Sequence, residues 1–393
     1  MSGVDRRTVI SRPARRALSA VVFLGLVAGA TAPAAASAGA GTVRPDDRRI
    51  AYEGHWSRTA EAAVTVNSGS RLWFRFAGSA VHALFDVSSV TVPAQIYVSV
   101  DGGPKQSYAV DRADLAITAS GRGPHTAELS VKDVSSRVNR WTPPLETGVT
   151  LTGIRGRLLS QRASKKQELV FYGDSVTQGV LALCEVNTSD CADGTAAYPT
   201  LVADALHASL TQVGFGRQGV IRTGNGGVPA AGDAYGWNHA GAPARSDRTA
   251  DVIVVNQGTN DTAYGSAEFR TAYRAYLERL RSAAPHARVL ALRPLDGSHS
   301  ADIAAVVGEL GDQHTEFVDT TGWLSAADGD FQDSVHPSAQ GHRKVADRLI
   351  SLLSKEHQCT PTAAEEPSPS SPPPCSPASA PRPPATPPTP RAA

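Results

Sequence analysis

Three residue types in this chain are spaced for nucleophilic catalysis: a serine, a histidine and an aspartate. Ser175 closes the run Leu169–Val170–Phe171–Tyr172–Gly173–Asp174 and is followed by Val176–Thr177–Gln178–Gly179. Apolar β-formers bounded by glycine read as a buried strand that stops abruptly. A serine just past such a strand, opening a helix, stands at the rim of a sheet with its own N–H facing whatever binds there. The plainer reading is a helix N-cap, so the assignment depends on what else the chain supplies. A hydroxyl needs a general base within hydrogen-bond reach, and the base needs an orienting partner. Asp333–Ser334–Val335–His336–Pro337 offers both. His336 is the base, Asp333 can reach its Nδ1 from the same loop, and Pro337 fixes the backbone behind it.

A developing oxyanion needs preorganised donors. The candidates are the Ser175 N–H, a glycine N–H and the side-chain amide of Asn260, which lies in Gln257–Gly258–Thr259–Asn260–Asp261 after the run Val252–Asn256. The glycine comes from the segment 214–227, with Gly219 favoured and Gly224 and Gly226 as alternatives. The same segment spells G-x-G-x-x-G, a dinucleotide fingerprint that requires a helix to open on the glycines. Further Gly, Thr and Asn and then Pro229 follow instead, which rejects it.

These residues need a scaffold, and from Lys166 onward the pattern supplies one. Strand-like runs at Leu169–Tyr172, Gln212–Phe215, Val252–Asn256, Val289–Leu292 and Glu316–Val318 alternate with helix-like runs at Tyr198–Ala208, Ala267–Ala283, Ala301–Leu310 and Ser338–Leu353. Such alternation predicts a parallel sheet covered by helices, whose ligands bind beyond the carboxyl ends of the strands. Residues 44–161 read differently. Leu72, Phe74 and Phe76 alternate with Trp73 and Arg75, further short runs appear at Ala63–Val66, Val81–Val87, Ile96–Val100, Thr126–Val131 and Val149–Ile154, and Asp101–Gly102–Gly103 gives turn chemistry. This predicts an all-β sandwich. Trp56, Trp73 and Trp141 are its candidate carbohydrate-stacking residues, with ordinary packing as the stronger reading.

The ends of the chain are of another kind. Residues 1–38 read as a signal peptide: a basic stretch with Arg6, Arg7, Arg12, Arg15 and Arg16, the apolar run Ala17–Ala32, and a small-residue cleavage site at Ala36–Ser37–Ala38. No other stretch could span a bilayer. Residues 359–393 read as a Pro-rich disordered tail, with 13 of the 27 prolines between Pro361 and Pro390. Charges nearly cancel, 38 basic against 37 acidic, which argues against a nucleic-acid partner held by bulk charge. In an exported chain Cys184 and Cys191 are expected to pair, and Cys359 with Cys375 forms a weaker candidate. The expected protein is secreted and extracellular, and a monomer.

Gly173–Asp174–Ser175, Gly258–Thr259–Asn260–Asp261 and Asp333–Ser334–Val335–His336–Pro337, in this order, resemble three signature blocks of the SGNH (GDSL) hydrolase superfamily. The resemblance covers about half the chain. It implies a flavodoxin-like three-layer α/β/α domain over 166–358 that hydrolyses esters without a metal or organic cofactor. It further implies Ser175 as nucleophile, His336 as base, Asp333 as its orienter and Asn260 as an oxyanion donor. An all-β, jelly-roll-like sandwich placed before such a domain is similar to carbohydrate esterase family two, whose members remove acetyl groups from polysaccharides. The chain departs from that family at Gln178–Gly179–Val180, where a Cys-Gly-Tyr-like run is common, and in a long loop between Cys184 and Cys191.

The expected substrate is therefore an ester on carbohydrate. The alternatives are a lipase or aryl esterase of the same superfamily, or a non-catalytic glycan- or cell-wall-binding protein. Tyr235, Trp237 and Trp323 sit in loops that could line a substrate cleft, plain packing being the competing reading for each. His207, His239, His299, His314, His342 and His357 show no metal-ligand spacing. Asp174 is expected to cap the helix that follows it.

Overall fold

The computed structural model describes residues 41–161, 166–244 and 247–357. The leader, the Pro-rich tail, Cys359 and Cys375 lie outside them.

Short runs of alternating polarity form the first half. The strands are β1 (Thr42–Val43), β2 (Ile50–Glu53), β3 (Ser57–Arg58), β4 (Ala63–Thr65), β5 (Arg71–Phe85), β6 (Gln95–Val100), β7 (Gln106–Ala109), β8 (Asp114–Thr118), β9 (Pro124–Asp133) and β10 (Val149–Leu159). All pairings among them are antiparallel. The sequence pattern separates Leu72–Phe76 from Val81–Val87, but they are one strand. In β5 the buried residues are Leu72, Phe74 and Phe76, then Val81, Ala83 and Phe85, so the inward phase shifts by one residue across the intervening stretch. Gly78, with φ +103°, lies in that stretch, and opposite it β10 slips register between Arg155 and Arg157. Gly156 lets the strands close there, since a Cβ on it would lie 2.5 Å from Val81 Cγ1. The two halves of β5 use different neighbours, β2 and β9 first and β8 later. The strands therefore join into one ten-stranded network rather than two separate sheets, and both halves of β5 feed one apolar core with Ile96, Val98, Leu129, Val131, Leu151 and Ile154.

The second half contains β11 (Glu168–Gly173), α1 (Ser175–Gln178), α2 (Tyr198–Ala205), β12 (Ser209–Gly214), α3 (Ala231–Ala234), β13 (Trp237–His239), β14 (Ala242–Pro243), β15 (Val252–Asn256), α4 (Ser266–Ala283), β16 (Arg288–Leu292), α5 (Ser300–Leu310), β17 (Thr315–Val318) and α6 (Ala339–His357). Five strands form a parallel sheet in the order β12-β11-β15-β16-β17. Counted along the chain this is 2-1-3-4-5, with the reversal of strand order at β11 and β15. Side chains on each strand divide between two cores, as period two requires. Val170 and Tyr172 join Ile253, Val289 and the apolar faces of α4 and α5. Leu169 and Phe171 join Val254, Leu290 and residues of α2 and α6. Truncating Phe171, which is fully buried, would cost about 3–5 kcal/mol.

The two halves meet through Val66 and Trp141, which join the core of the second half, and through polar contacts. Arg71 Nη1 donates to Asp204 Oδ1 at 2.8 Å, the Tyr97 hydroxyl to Asp193 Oδ2 at 3.0 Å, and Asn238 Nδ2 to the Val64 carbonyl at 2.7 Å. The Gly194 N–H donates to the Lys132 carbonyl at 2.8 Å.

Candidate active site

At the carboxyl end of β11 the chain turns directly into α1. Asp174 caps that helix, its Oδ1 accepting the Val176 N–H at 2.9 Å. The capping role expected from the sequence is the one observed. Ser175 is the first helical residue, so its own N–H has no intrahelical partner. Gly179 ends the turn at φ +87°, packed so closely that a Cβ would lie 2.4 Å from the Asp193 carbonyl oxygen.

The loop between β17 and α6 brings the base. His336 Nε2 lies 2.9 Å from Ser175 Oγ, and His336 Nδ1 lies 2.8 Å from Asp333 Oδ2. Asp333 also orders its own loop, since Oδ1 accepts the N–H of Val335 at 2.8 Å and of His336 at 2.7 Å. Partial burial works to raise this carboxyl, but those N–H groups and the imidazole outweigh it and hold Asp333 below the usual carboxylate range. Ser175 is 8% exposed, while the side chains of His336 and Asp333 are 18% and 43% exposed. A hydroxyl, an imidazole and a carboxylate in line can take a proton from oxygen and return it to a leaving group.

Asn260 comes from the loop after β15. Its Nδ2 donates to Asp174 Oδ2 and to the Gln218 carbonyl, both at 3.1 Å. Asp174 is thus a buried carboxyl between the nucleophile helix and the amide, and burial pushes it up to about 7. Gly219 requires a correction. Its N–H donates to the Arg222 carbonyl at 3.0 Å and is not offered to a ligand. The cause is the tight turn at 219–222, whose remaining N–H groups, from Val220, Ile221 and Arg222, all bond the Asp261 carboxylate. The alternative Gly224 N–H is likewise taken, by the Val228 carbonyl at 2.8 Å.

The aromatic candidates divide. Trp56 and Trp141 are buried at 5% and 6% exposure, which removes them as stacking surfaces. Trp73 carries the Lys166 ammonium 5.7 Å from its ring centroid. Trp237 is exposed on the β13–β14 ribbon. Trp323 and Val335 are both half-buried against the core that contains Val176, the neighbour of Ser175. Tyr235 packs on Tyr172 in an edge contact, with centroids 5.6 Å apart. Cys184 and Cys191 form a disulfide. His342 is fully buried, its ring stacked on Tyr198, and burial lowers it to about 3. Among the described residues there is no cluster of His, Cys, Asp and Glu fit to hold a metal ion, and no helix is long and apolar enough to cross a membrane.

Residues 171–344 match the GDSL-like lipase/acylhydrolase family. Over 318 residues the chain is 25% identical to an acetylxylan esterase/glucomannan deacetylase of Cellvibrio japonicus, covering 73% of this chain and 86% of that protein. A solved family two carbohydrate esterase from Cellvibrio japonicus has a TM-score of 0.67 at 22% identity, covering 80% of this chain and 97% of that one. Another from Clostridium thermocellum, in complex with cellohexaose, has a TM-score of 0.65 at 20% identity, covering 79% and 99%. The match over residues 171–344 and the likeness to that esterase make the chain a carboxylic ester hydrolase of SGNH/GDSL type, similar in fold to the solved family two carbohydrate esterases.

Proposed function

We propose that this chain is a secreted serine esterase that removes acetyl groups from a polysaccharide or oligosaccharide through an acyl-enzyme. The observation that carries the mechanism is the hydrogen-bonded line Ser175 Oγ, His336, Asp333 at 2.9 and 2.8 Å. His336 takes the Ser175 proton as Oγ attacks the ester carbonyl. Asp333 holds the Nδ1–H tautomer and stabilises the imidazolium. The oxyanion is met by the Ser175 N–H and by an Asn260 Nδ2 proton that exchanges the Gln218 carbonyl for it. His336 then protonates the leaving sugar hydroxyl, and water, deprotonated by the same ring, releases acetate from Ser175.

Support for the acetylated-carbohydrate substrate is the likeness to the acetylxylan esterase/glucomannan deacetylase. We read residues 166–358 as a flavodoxin-like three-layer α/β/α domain, on the strength of its two cores, and residues 44–161 as a separate β-domain. Secretion is supported by the leader composition of residues 1–38 and by the disulfide. The test is hydrolysis of p-nitrophenyl acetate, longer p-nitrophenyl esters and acetylated xylan by the wild type and by Ser175→Ala. Acetyl release that the substitution abolishes is the expected result. Preference for long chains would keep the nucleophile and move the substrate to lipids. Equal activity in both proteins would overturn the mechanism.

A further inference from the structure

The helix that presents Ser175 is held from its own half, where the Thr177 hydroxyl meets that of Tyr198 at 2.8 Å and the Thr177 carbonyl accepts from Gln212 Nε2 at 2.8 Å, and also from the β-rich half of the chain. A helix of four residues cannot fix its own position, because one turn gains too few hydrogen bonds to offset ordering. Its last residue, Gln178, is 2% exposed and has both ends of its amide filled. Nε2 donates to the Val134 carbonyl at 3.1 Å, while Oε1 accepts from Arg140 Nη2 at 3.1 Å and from the Gly216 N–H at 2.9 Å. Val134 and Arg140 both lie in the connection between β9 and β10. The Gln178 main chain is tied back to the Asp174 carbonyl at 2.9 Å, so displacing the amide displaces the turn that carries Ser175.

Arg140 is an unusual choice for this position. It has no solvent exposure, its guanidinium lies 4.7 Å from the Phe215 ring centroid, and Nη1 reaches the Val134 carbonyl at 3.4 Å. Desolvation pulls the guanidinium down to about 10, opposed in part by the charge of Asp133, whose own carboxyl is raised by burial. Burying a guanidinium carries a large desolvation penalty, and an apolar residue of similar volume often serves stability as well. What an apolar residue cannot do is donate to Gln178 Oε1. His336 arrives from the loop before α6, on contacts that involve neither Arg140 nor Gln178: Gln332 N–H to the His336 carbonyl at 2.8 Å and Ser338 N–H to the Asp330 carbonyl at 2.8 Å. The main-chain contacts that hold the base are therefore separate from the side-chain contacts of Gln178 that hold α1, so a shift of α1 alters the geometry between Ser175 Oγ and His336 Nε2.

We propose that Arg140 and Gln178 are positioning residues, through which the β-rich half sets the place of Ser175 Oγ relative to His336. This rests on Ser175 being the nucleophile. The experiment titrates active sites with an organophosphonate that labels Ser175 stoichiometrically, then measures kcat per titrated site and KM for p-nitrophenyl acetate. Wild type, Arg140→Met, Arg140→Lys and Gln178→Met are compared. Because the rate is counted per labelled site, a variant that folds in low yield still gives a value. The expected result is a per-site kcat lower by about ten- to a hundredfold in Arg140→Met and Gln178→Met. KM should be little changed, and Arg140→Lys should recover part of the loss. Fewer labelled sites with wild-type kcat per site in both variants would show a merely structural role and overturn the proposal. Absence of Ser175 labelling in the wild type would overturn the nucleophile assignment itself, a distinguishable failure.

Discussion

The Asp261 carboxylate closes directly over Gly219: a Cβ built on that glycine would lie 2.2 Å from Asp261 Oδ1. Close approach is therefore what requires glycine here. The same carboxylate accepts the N–H groups of Val220, Ile221 and Arg222 at 2.8, 3.2 and 3.0 Å. One side chain thereby ties the Asn260 loop to the turn facing it.

Asp261→Ala should leave those N–H groups without their acceptor and cost about 3 kcal/mol or more, read as a shift in urea midpoint. Gly219→Ala should destabilise by about 1–3 kcal/mol, because the carboxylate must move. The two should not add. Once Asp261 is truncated the clash is gone, so a double-mutant cycle should give a coupling of about 1 kcal/mol or more. Strict additivity would sink the argument that the two residues confront each other.

Asp333→Asn keeps an acceptor for the Val335 and His336 N–H groups but loses the charge facing the imidazole. The expected outcome is a fall in kcat/KM of about ten- to a thousandfold with only a small loss of thermal stability. The loss should be smaller than for a fully buried partner, because this carboxylate is 43% exposed. Wild-type kcat/KM in the variant would show that His336 is oriented by other means.

What the amino-acid sequence reveals of the site depends on where each signal lies. Ser175, His336 and Asp333 are readable because each sits at the end of an apolar strand run or in a five-residue motif carrying its own partner. The direction of the Gly219 N–H is not, since it depends on a turn shaped by Asp261 from another loop. Arg140 gives no signal at all, as a fully buried arginine contradicts composition and its partner Gln178 is 38 residues away. Alternation finds both halves of β5 but cannot join them, because the phase slip near Gly78 breaks the period that detection uses.

The Cys184–Cys191 bridge closes a short loop that begins shortly after α1. Leu183 and Val186, 43% and 63% exposed, lie at its edge and within it. Closing so short a loop is worth about 2 kcal/mol through the unfolded chain. Cys184→Ser with Cys191→Ser should lower unfolding free energy by about that amount, and dithiothreitol should reproduce the shift in the wild type but not in the variant. An equal response of both proteins to reductant would rule out this bridge as its cause.

Asp174 gives stability a pH dependence whose sign is opposite to that of an ion-paired carboxylate. Burial is the chief reason its carboxyl is held at about 7 in the folded chain, against an ordinary value of 3.8. Between those values the folded protein binds a proton that the unfolded chain has lost, so unfolding free energy falls as pH rises. The contribution is fully present below about pH 4 and is lost as pH climbs through about 7, a change of a few kcal/mol at about 1.4 per unit. Asp174→Asn cannot ionise and should not show this loss. Urea unfolding of both proteins from pH 4 to 8 would measure it as a wild-type-minus-variant difference that declines with pH. A flat difference would mean that the carboxyl titrates alike in both states, and that its bonds to Val176 and Asn260 already offset its burial.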